Sequence, residues 1–406
     1  MKFNSTVFER LLFPLHKRAY RQIQDALDAI DRKHPEQLQR ALANFKEAAL
    51  SDTQTVTWRP GKADEFAYPT FDIAILFNKP ADYKLSTLHK STDYKIAVYY
   101  DEKPPANYTG NHLQLGFFRG NVLNVFIVPL EYLLGFNEQA ILREGSYQLY
   151  SHSILSQDNR EYINKRMEPI GASSNANGLR AQQDYQKNAL LYVGITKRTW
   201  QERYRQHCRD SGRGSNLRFH RALRGEFCQI GCIEHIVERA GLTQRQALEI
   251  EEKEVEKRSL HSLYPNGLNM IPGGYAGLKC VHEYAKRTGY NMVGELTADN
   301  LESVLVEVQR HTLNRHFNSD ELERANAEIA RLWAEDIQFR IKATTGQQNR
   351  FSFRQIQAAR IWHACGWAEE KILEYLKRLD SKEIGMDQLQ RLLRGETYAS
   401  IPDVLI

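Results

Sequence analysis

The sequence predicts a multidomain α+β protein in three parts: an N-terminal α+β domain, a small central α/β domain with a three-stranded sheet, and a C-terminal helical domain. Three observations support this class. Apolar residues recur at helical spacing in the first 50 residues, strand-like segments follow from Thr55, and the chain after residue 280 is mostly helical in pattern. We place the domains at 1–138, 139–280 and 281–406. The 406 residues suffice for about two to four domains with their own cores.

Composition excludes several classes of protein. The chain is 42% hydrophobic and 26% charged, with a net charge of +5, so the distribution of charge says more than its sum. Five scattered cysteines do not resemble a secreted disulfide framework. The most apolar stretch, 117–136, is interrupted by charged residues, and Glu9 and Arg10 fall where a signal peptide needs apolar residues. We therefore expect a cytoplasmic protein that does not cross a membrane.

The N-terminal domain is predicted from two patterns. Residues 1–50 form two amphipathic helices in this interpretation, and the segments FDIAILF, YKIAVYY, HLQLGFF and NVFIVPL form strands separated by Pro, Gly and Asn. Nothing in this domain points to chemistry. Partner binding, dimerisation and regulation all stay open for it.

The central domain is predicted from strands and helices that alternate. Residues 145–150 form a candidate strand, and a polar insertion runs from about 155 to 187. The segment LLYVGITK is a second strand, followed by a helix from Thr199, a third strand over 227–237 and a helix from Thr243.

The helix from Thr199 carries the first group of candidate site residues. Trp200, Tyr204 and Cys208 share a stripe that should face the core, and Arg203 and His207 lie at its edge. An arginine and a histidine half-buried beside an aromatic stripe indicate a site. The alternative is that both side chains reach past the core into solvent.

The glutamate-rich helix supplies a candidate metal ligand. Thr243 and Gln246 form a capping box that fixes the register of this helix. Glu251 and Glu254 project onto its apolar face, whereas three other glutamates are predicted to face solvent: Glu249, Glu252 and Glu256. A carboxylate on an apolar face is costly unless it is paired or binds a metal, so Glu251 is our candidate ligand. The alternative is an acidic, solvated helix.

Zinc is a competing interpretation. Cys228, Cys232 and His235, together with Cys208, have a spacing that superficially suggests a zinc site. Residues 228, 230 and 232 share one face of a strand, however, and this arrangement favours ordinary buried thiols.

The central domain resembles the GIY-YIG nuclease family. The resemblance comprises Tyr192-Val193-Gly194, then Arg203-x-x-x-His207, then Ala247-x-x-x-Glu251-x-x-x-Val255, then Gly267-Leu268-Asn269. The order and spacing of these elements agree with the family over roughly residues 145–275. For the first signature tripeptide the best match is Gly145-Ser146-Tyr147. Three other tyrosines are alternatives to Tyr147: Tyr150, Tyr162 and Tyr185.

The resemblance implies an Mg²⁺-dependent DNA endonuclease that hydrolyses phosphodiester bonds. Glu251 would hold one Mg²⁺ ion and Arg203 would clamp a phosphate oxygen. Tyr147 or Tyr192 would take the proton from the attacking water, and His207 would accept it in turn. Asn269 would hold the Glu251 helix or the substrate through its amide. The alternatives are a catalytically degenerate nucleic-acid-binding protein on this scaffold, and a partner-binding protein built around residues 1–138.

Basic residues predict how DNA, taken as double-stranded, is positioned. Between Lys197 and Arg224 there are nine basic residues and two acidic ones, with aromatic residues between them. The C-terminal helices over 353–398 look similar to helix-turn-helix modules, although a plain helical bundle is the alternative. A homodimer stays open. The predicted DNA-binding residues are Lys197, Arg198, Arg205, Arg209, Arg213, Arg218 and Arg221, with Lys377, Arg378, Arg391 and Arg394 in the C-terminal helices.

Overall fold

The chain forms two compact units. A computed structural model describes residues 2–33, 70–77, 90–101, 112–159, 189–287, 319–345, 350–380 and 384–403. The first unit comprises residues 1–214 and 220–247, and the second comprises 215–219 and 248–406. The domain boundaries at 138 and 280 stay predictions. None of the helices in the described ranges is both long and apolar enough to cross a membrane.

The first unit is built on a seven-stranded mixed sheet with the order β2-β1-β3-β4-β7-β5-β6. The strands are β1 (Thr70–Phe77), β2 (Tyr94–Asp101), β3 (His112–Arg119), β4 (Val122–Pro129), β5 (Tyr147–Ser156), β6 (Leu190–Thr196) and β7 (Ile230–Leu242). The helices described entirely within this unit are α1 (Ser5–Leu11), α2 (Lys17–Lys33), α3 (Leu130–Leu133), α4 (Glu138–Leu142) and α5 (Trp200–Gly212).

The three-stranded sheet predicted for the central domain is not confirmed, because its strands belong to the seven-stranded sheet. The three central strands do pair antiparallel, with β5 between β6 and β7. The outer edge of β7 pairs parallel with β4, from Leu123 opposite Cys232 to Ile127 opposite Ile236. Because β7 is buried along most of its length, an unpaired edge there would leave backbone groups without hydrogen bonds. Residue patterns reveal strands but not which edges meet, so this continuation into the N-terminal strands was missed.

One face of the sheet is covered by the N-terminal helices and by α5. The Asn4 side chain caps α1 by accepting a hydrogen bond from the Val7 backbone N–H at 3.1 Å. Residues of α1 and α2 belong to the same buried cluster as Tyr150 and Trp200. The edge of the Trp200 indole meets the Phe126 ring at 4.5 Å between centroids. The N-terminal helices therefore belong to the core on which α5 is seated.

The second unit is helical where it is described. Helices α6 (Arg218–Leu223) and α7 (Gln244–Arg258) each have residues in both units, and the others are α8 (Gly274–Arg287), α9 (Ser319–Glu335), α10 (Ile337–Thr344), α11 (Phe353–Ala364), α12 (Glu369–Leu379) and α13 (Met386–Leu393). A capping box of Ser352 and Gln355 begins α11. Helices α11 to α13 share one buried apolar cluster. The helical C-terminus is confirmed, and its assignment as a helix-turn-helix stays a prediction.

Candidate active site

Tyr150 on β5 lies at the centre of a buried cluster. It pairs across the sheet with Gly194 of β6, and only 1% of its surface is exposed. A Cβ atom at residue 194 would lie 2.9 Å from the Tyr150 Oη atom, closer than real Cβ contacts allow. Glycine at this position of the Tyr-Val-Gly tripeptide therefore makes room for the phenol.

Arg203 donates a hydrogen bond to that phenol. Helix α5 begins with a capping box of Thr199 and Glu202, which fixes the register that turns Arg203 inward. The Arg203 Nε atom lies 3.2 Å from the Tyr150 Oη atom. Burial acts to lower the pKa of Arg203, but the phenols of Tyr150 and Tyr192 outweigh it and raise that pKa above its ordinary value. A permanent cation is thus held against two tyrosine oxygens.

His207 continues the chain of hydrogen bonds. Its Nε2 atom lies 3.2 Å from the Tyr150 Oη atom, and its Nδ1 atom lies 3.0 Å from the His220 Nε2 atom. Burial, reinforced by Arg203, holds the pKa of His207 well below its ordinary value, so the imidazole is neutral. Since Tyr150 already accepts from Arg203, we assign its hydroxyl proton to His207 and the Nδ1 proton of His207 to His220.

Tyr150, rather than Tyr147, is the residue of β5 whose hydroxyl contacts Arg203 and His207. Sequence reasoning preferred Tyr147 because it follows a glycine by two residues, and named Tyr150 as an alternative. Tyr147 is half-buried at the start of β5, opposite Leu242. Tyr162 and Tyr185 lie outside the described residues. The signal that favours Tyr150 over Tyr147 is strand pairing, because Tyr150 lies opposite Gly194 and contacts both Arg203 and His207 of α5.

Tyr192 belongs to the same cluster. Its ring centroid lies 5.4 Å from the His207 ring and 6.3 Å from the Tyr150 ring. The structure thus brings together three of the predicted catalytic residues, Tyr192, Arg203 and His207. The predicted burial of Trp200 and Tyr204 on the same helix is confirmed, with 1% and 5% of their surfaces exposed.

Two further histidines, His152 and His235, lie behind the cluster. Sequence reasoning missed His152 and named His235 only as a possible zinc ligand. The His152 Nδ1 and His235 Nδ1 atoms lie 2.9 Å apart, and the His235 Nε2 atom lies 3.3 Å from the Asn124 Oδ1 atom. The His152 ring stacks on Tyr192 at 6.1 Å. Burial, followed by the charge of Arg203, lowers the pKa of His152 to about 3, and burial holds the pKa of His235 well below its ordinary value. These imidazoles are neutral packing groups in a polar core.

The buried histidines predict that the fold loses stability in acid. Burial is the main cause that lowers the pKa of His220 from 6.5 to about 4. The unfolded chain then binds a proton more tightly than the folded chain, so this stability is present above about pH 6.5 and is lost as the pH falls through about 4. His220→Gln keeps an acceptor for His207 but cannot titrate. Between about pH 7 and about pH 4, we expect His220→Gln to lose about 3 kcal/mol less unfolding free energy than the wild type does. Urea unfolding at the two pH values measures this difference.

The exposed His363 provides the control for this measurement. His363→Gln should leave the pH dependence of the unfolding free energy unchanged. An identical acid profile for the wild type and His220→Gln would show that His220 is not held neutral in the folded chain.

Glu251 is described within the second unit. It is half-buried on α7, and its Oε2 atom accepts a hydrogen bond from the Gly274 N–H at 2.9 Å. Asn269 supports the end of the same helix through its backbone, which pairs with Ser259 and His261 at 3.0 and 2.8 Å. The role of the Asn269 side-chain amide stays a prediction.

The other glutamates of α7 correct the expected orientation of this helix. Glu249 is exposed and Glu254 is buried, where it pairs with Arg258 at 3.0 Å. Glu252, predicted to face solvent, is instead paired with Arg350. Burial and the charge of Glu252 raise the pKa of Glu256 to about 7. Residues near 350 and 400 cover this side of the helix. The spacing of residues within α7 cannot predict contacts with such distant segments.

The predicted DNA-binding residues fall into two groups. Arg218 donates to the carbonyls of Gly267 and Pro265 at 3.1 Å each, so its guanidinium holds a loop. Arg221 pairs with Glu226 at 2.6 Å. In the C-terminal helices Arg391 and Arg394 pair with acidic neighbours. The predicted DNA-binding residues that are exposed in the first unit are Lys197, Arg198, Arg205, Arg209 and Arg213.

The described residues form no cluster of ligands that would hold zinc, and magnesium stays a prediction. In the described part of the chain no group of three or more His, Cys, Asp or Glu side chains can hold a metal ion. All five cysteines are free, and Cys232 is buried in β7. Mg²⁺ keeps several waters and binds through one or two carboxylates together with substrate phosphates. A single oriented carboxylate such as Glu251 matches that preference.

The buried Tyr–Arg–His cluster lies in the central region of the chain, on β5 and α5. Residues 153–222 match the family model of the GIY-YIG catalytic domain, which confirms the resemblance drawn from the sequence motifs. The match includes Tyr192, Arg203 and His207, begins three residues after Tyr150, and ends before Glu251. Neither the curated proteins nor the solved structures compared with the chain give a match.

Proposed function

We propose that the protein is an Mg²⁺-dependent DNA endonuclease. The observation that carries this proposal is the chain of hydrogen bonds from Arg203 through Tyr150 to His207. It supplies a cation, a phenol and a neutral imidazole in contact with one another. Hydrolysis of a phosphodiester needs an activated water and stabilisation of negative charge, and these groups provide both.

Tyr150 acts as the general base in this proposal. Its hydroxyl proton passes to the Nε2 atom of His207, and its oxygen then takes a proton from the attacking water. Arg203 stabilises negative charge on the phenol oxygen through the hydrogen bond that it already donates. The neutral state of His207 suits it to accept the proton, and its contact with His220 steadies the ring.

Glu251 is the carboxylate that we assign to the metal ion. The hydrogen bond from the Gly274 N–H orients the carboxylate, as outer partners of metal ligands commonly do. Bound Mg²⁺ would polarise the phosphate and stabilise the departing 3′ oxygen.

Exposed cations of the first unit position the DNA in this proposal. Lys197 and Arg198 follow β6, whereas Arg205, Arg209 and Arg213 lie on or just after α5. These residues are near Arg203 along the chain. Cations that neutralise phosphates release counterions, so binding should weaken as salt concentration rises. The C-terminal helices are proposed as a second DNA contact.

Nicking of supercoiled plasmid tests the proposal. We expect the full chain to nick plasmid in Mg²⁺ and to stop in EDTA. Arg203→Ala should lower the rate by roughly 10²–10³-fold, because one cation aimed at developing charge is lost. DNA binding by a folded chain that never cuts in Mg²⁺ would instead indicate a catalytically degenerate binding protein. The absence of salt-dependent DNA affinity would refute both interpretations.

A further inference from the structure

Two adjacent carboxylates of α7 meet the first turn of α8. The Glu251 Oε2 atom accepts from the Gly274 N–H at 2.9 Å, and the Glu252 Oε2 atom accepts from the Ala276 N–H at 3.0 Å. The first amides of a helix lack partners within it and favour negative charge nearby. The pair of glutamates therefore fixes the start of α8 against α7.

Glycines let the two helices approach this closely. A Cβ atom at residue 273 would lie 2.7 Å from the Glu251 Cγ atom, and one at residue 274 would lie 1.9 Å from the Leu248 carbonyl oxygen. Gly274 also has a φ of +55°, which disfavours other residues. Since backbone meets backbone here, a small shift of α7 cannot be absorbed by side-chain rearrangement.

Arg350 holds Glu252 from the opposite side. Its two terminal nitrogens bond to the two carboxylate oxygens of Glu252, one of them at 2.6 Å. Only 19% of the Arg350 side chain and 15% of the Glu252 side chain are exposed. Burial acts to lower the pKa of Arg350, but Glu252 outweighs it and raises that pKa. A bidentate pair shielded from water is geometrically specific.

Arg350 also belongs to the C-terminal helices. It is followed by Phe351, which is buried in the cluster shared by α11, α12 and α13, and by Ser352, which caps α11. Arg350 and Glu252 lie 98 residues apart in sequence. The ion pair is thus a direct connection from the C-terminal helices to the residue beside Glu251.

We propose that Arg350 is a positioning residue for Glu251, through which the C-terminal helices set the metal affinity of the site. The proposal rests on the metal-binding role of Glu251. With both oxygens of Glu252 held, the turn of α7 that carries both glutamates cannot rotate, and Glu251 stays oriented by Gly274. Loss of such an outer partner typically lowers metal affinity by roughly 10–100-fold.

Binding of Mn²⁺, a spectroscopic substitute for Mg²⁺, measures this affinity without turnover. We expect electron paramagnetic resonance to show Mn²⁺ binding to full-length Arg350→Met weakened by about 10-fold or more. Arg350→Lys keeps the charge but loses the two-nitrogen contact of the guanidinium. Its Mn²⁺ binding should also be weakened, but less than that of Arg350→Met. Plasmid nicking should require more Mg²⁺, with most of the rate regained at saturating metal. If Arg350 had only a structural role, its loss would lower the rate at saturating metal as well as at low metal.

Arg360→Met is the matched control. Arg360 lies on α11 and bonds to Asp403 and to the Ile401 carbonyl at 3.0 and 2.7 Å, away from α7 in sequence. Its loss should leave Mn²⁺ affinity unchanged. If Arg350→Met does not fold, Arg350→Lys decides the matter. Wild-type Mn²⁺ affinity in folded Arg350→Met, or in Arg350→Lys where that is the folded variant, would overturn the proposal.

Glu251→Gln separates this inference from the proposed function. If Glu251→Gln binds Mn²⁺ as the wild type does, the metal-binding role itself fails. If Glu251→Gln loses the ion while the Arg350 variants keep wild-type affinity, only the positioning role fails.

Discussion

Tyr150→Phe is expected to lower the rate of DNA cleavage by roughly 10²–10⁴-fold, the usual contribution of a general base. The substitution removes one oxygen atom and keeps the ring that packs between β5 and α5. That oxygen accepts from Arg203 and contacts His207, so without it no proton can pass from water towards the imidazole. The measurement is the single-turnover rate of plasmid nicking at saturating Mg²⁺.

Tyr147→Phe supplies the matched control on the same strand. It also removes one phenol oxygen, from a half-buried residue opposite Leu242. We expect its nicking rate to stay within about threefold of the wild-type rate, since no transition-state contact is removed. Full activity of Tyr150→Phe together with a large loss in Tyr147→Phe would restore the assignment made from the glycine spacing.

Glu251→Gln should remove the Mg²⁺ dependence of cleavage and lower its rate by about 10³-fold. The amide has nearly the shape of the carboxylate and can still accept from the Gly274 N–H, so helix packing is preserved. It lacks the negative charge that a hard cation requires. Losing the metal ion costs several kcal/mol of transition-state stabilisation, and ~4 kcal/mol corresponds to that change in rate.

Glu249→Gln removes the same charge from an exposed position of the same helix. It should leave both the rate and the Mg²⁺ requirement as they are in the wild type. Retention of Mg²⁺-dependent nicking by Glu251→Gln would end the assignment of Glu251 as the metal ligand.

The sequence was sufficient for the local elements and for part of the site. Helical spacing placed Trp200 and Tyr204 in the core, and the motif spacing placed Arg203 and His207 together, as the structure has them. The predicted capping box of Thr243 and Gln246 is also confirmed. These features depend on residues within a few positions of each other, where spacing determines which side chains meet.

The features that were missed all depend on contacts between distant segments. Tyr150 is separated from Tyr192 by the long insertion, so only the pairing of β5 with β6 shows which tyrosine reaches Arg203. His152 and His235 meet across two strands 83 residues apart in sequence. Glu252 and Arg350 are farther apart still. Alternation within a strand or helix gives the face of a residue but not the partner on that face.

The parallel pairing of β4 with β7 limits how freely the central region of the chain could be transplanted. The stretch that matches the family model contains β6 and the end of β5, and β5 pairs with β7, which is itself bonded to β4 in the first third of the chain. A fragment that contained β5, β6 and β7 without β4 would expose the unpaired edge of β7, which favours self-association. The stretch that carries the family motif therefore depends on strands outside it to complete its sheet.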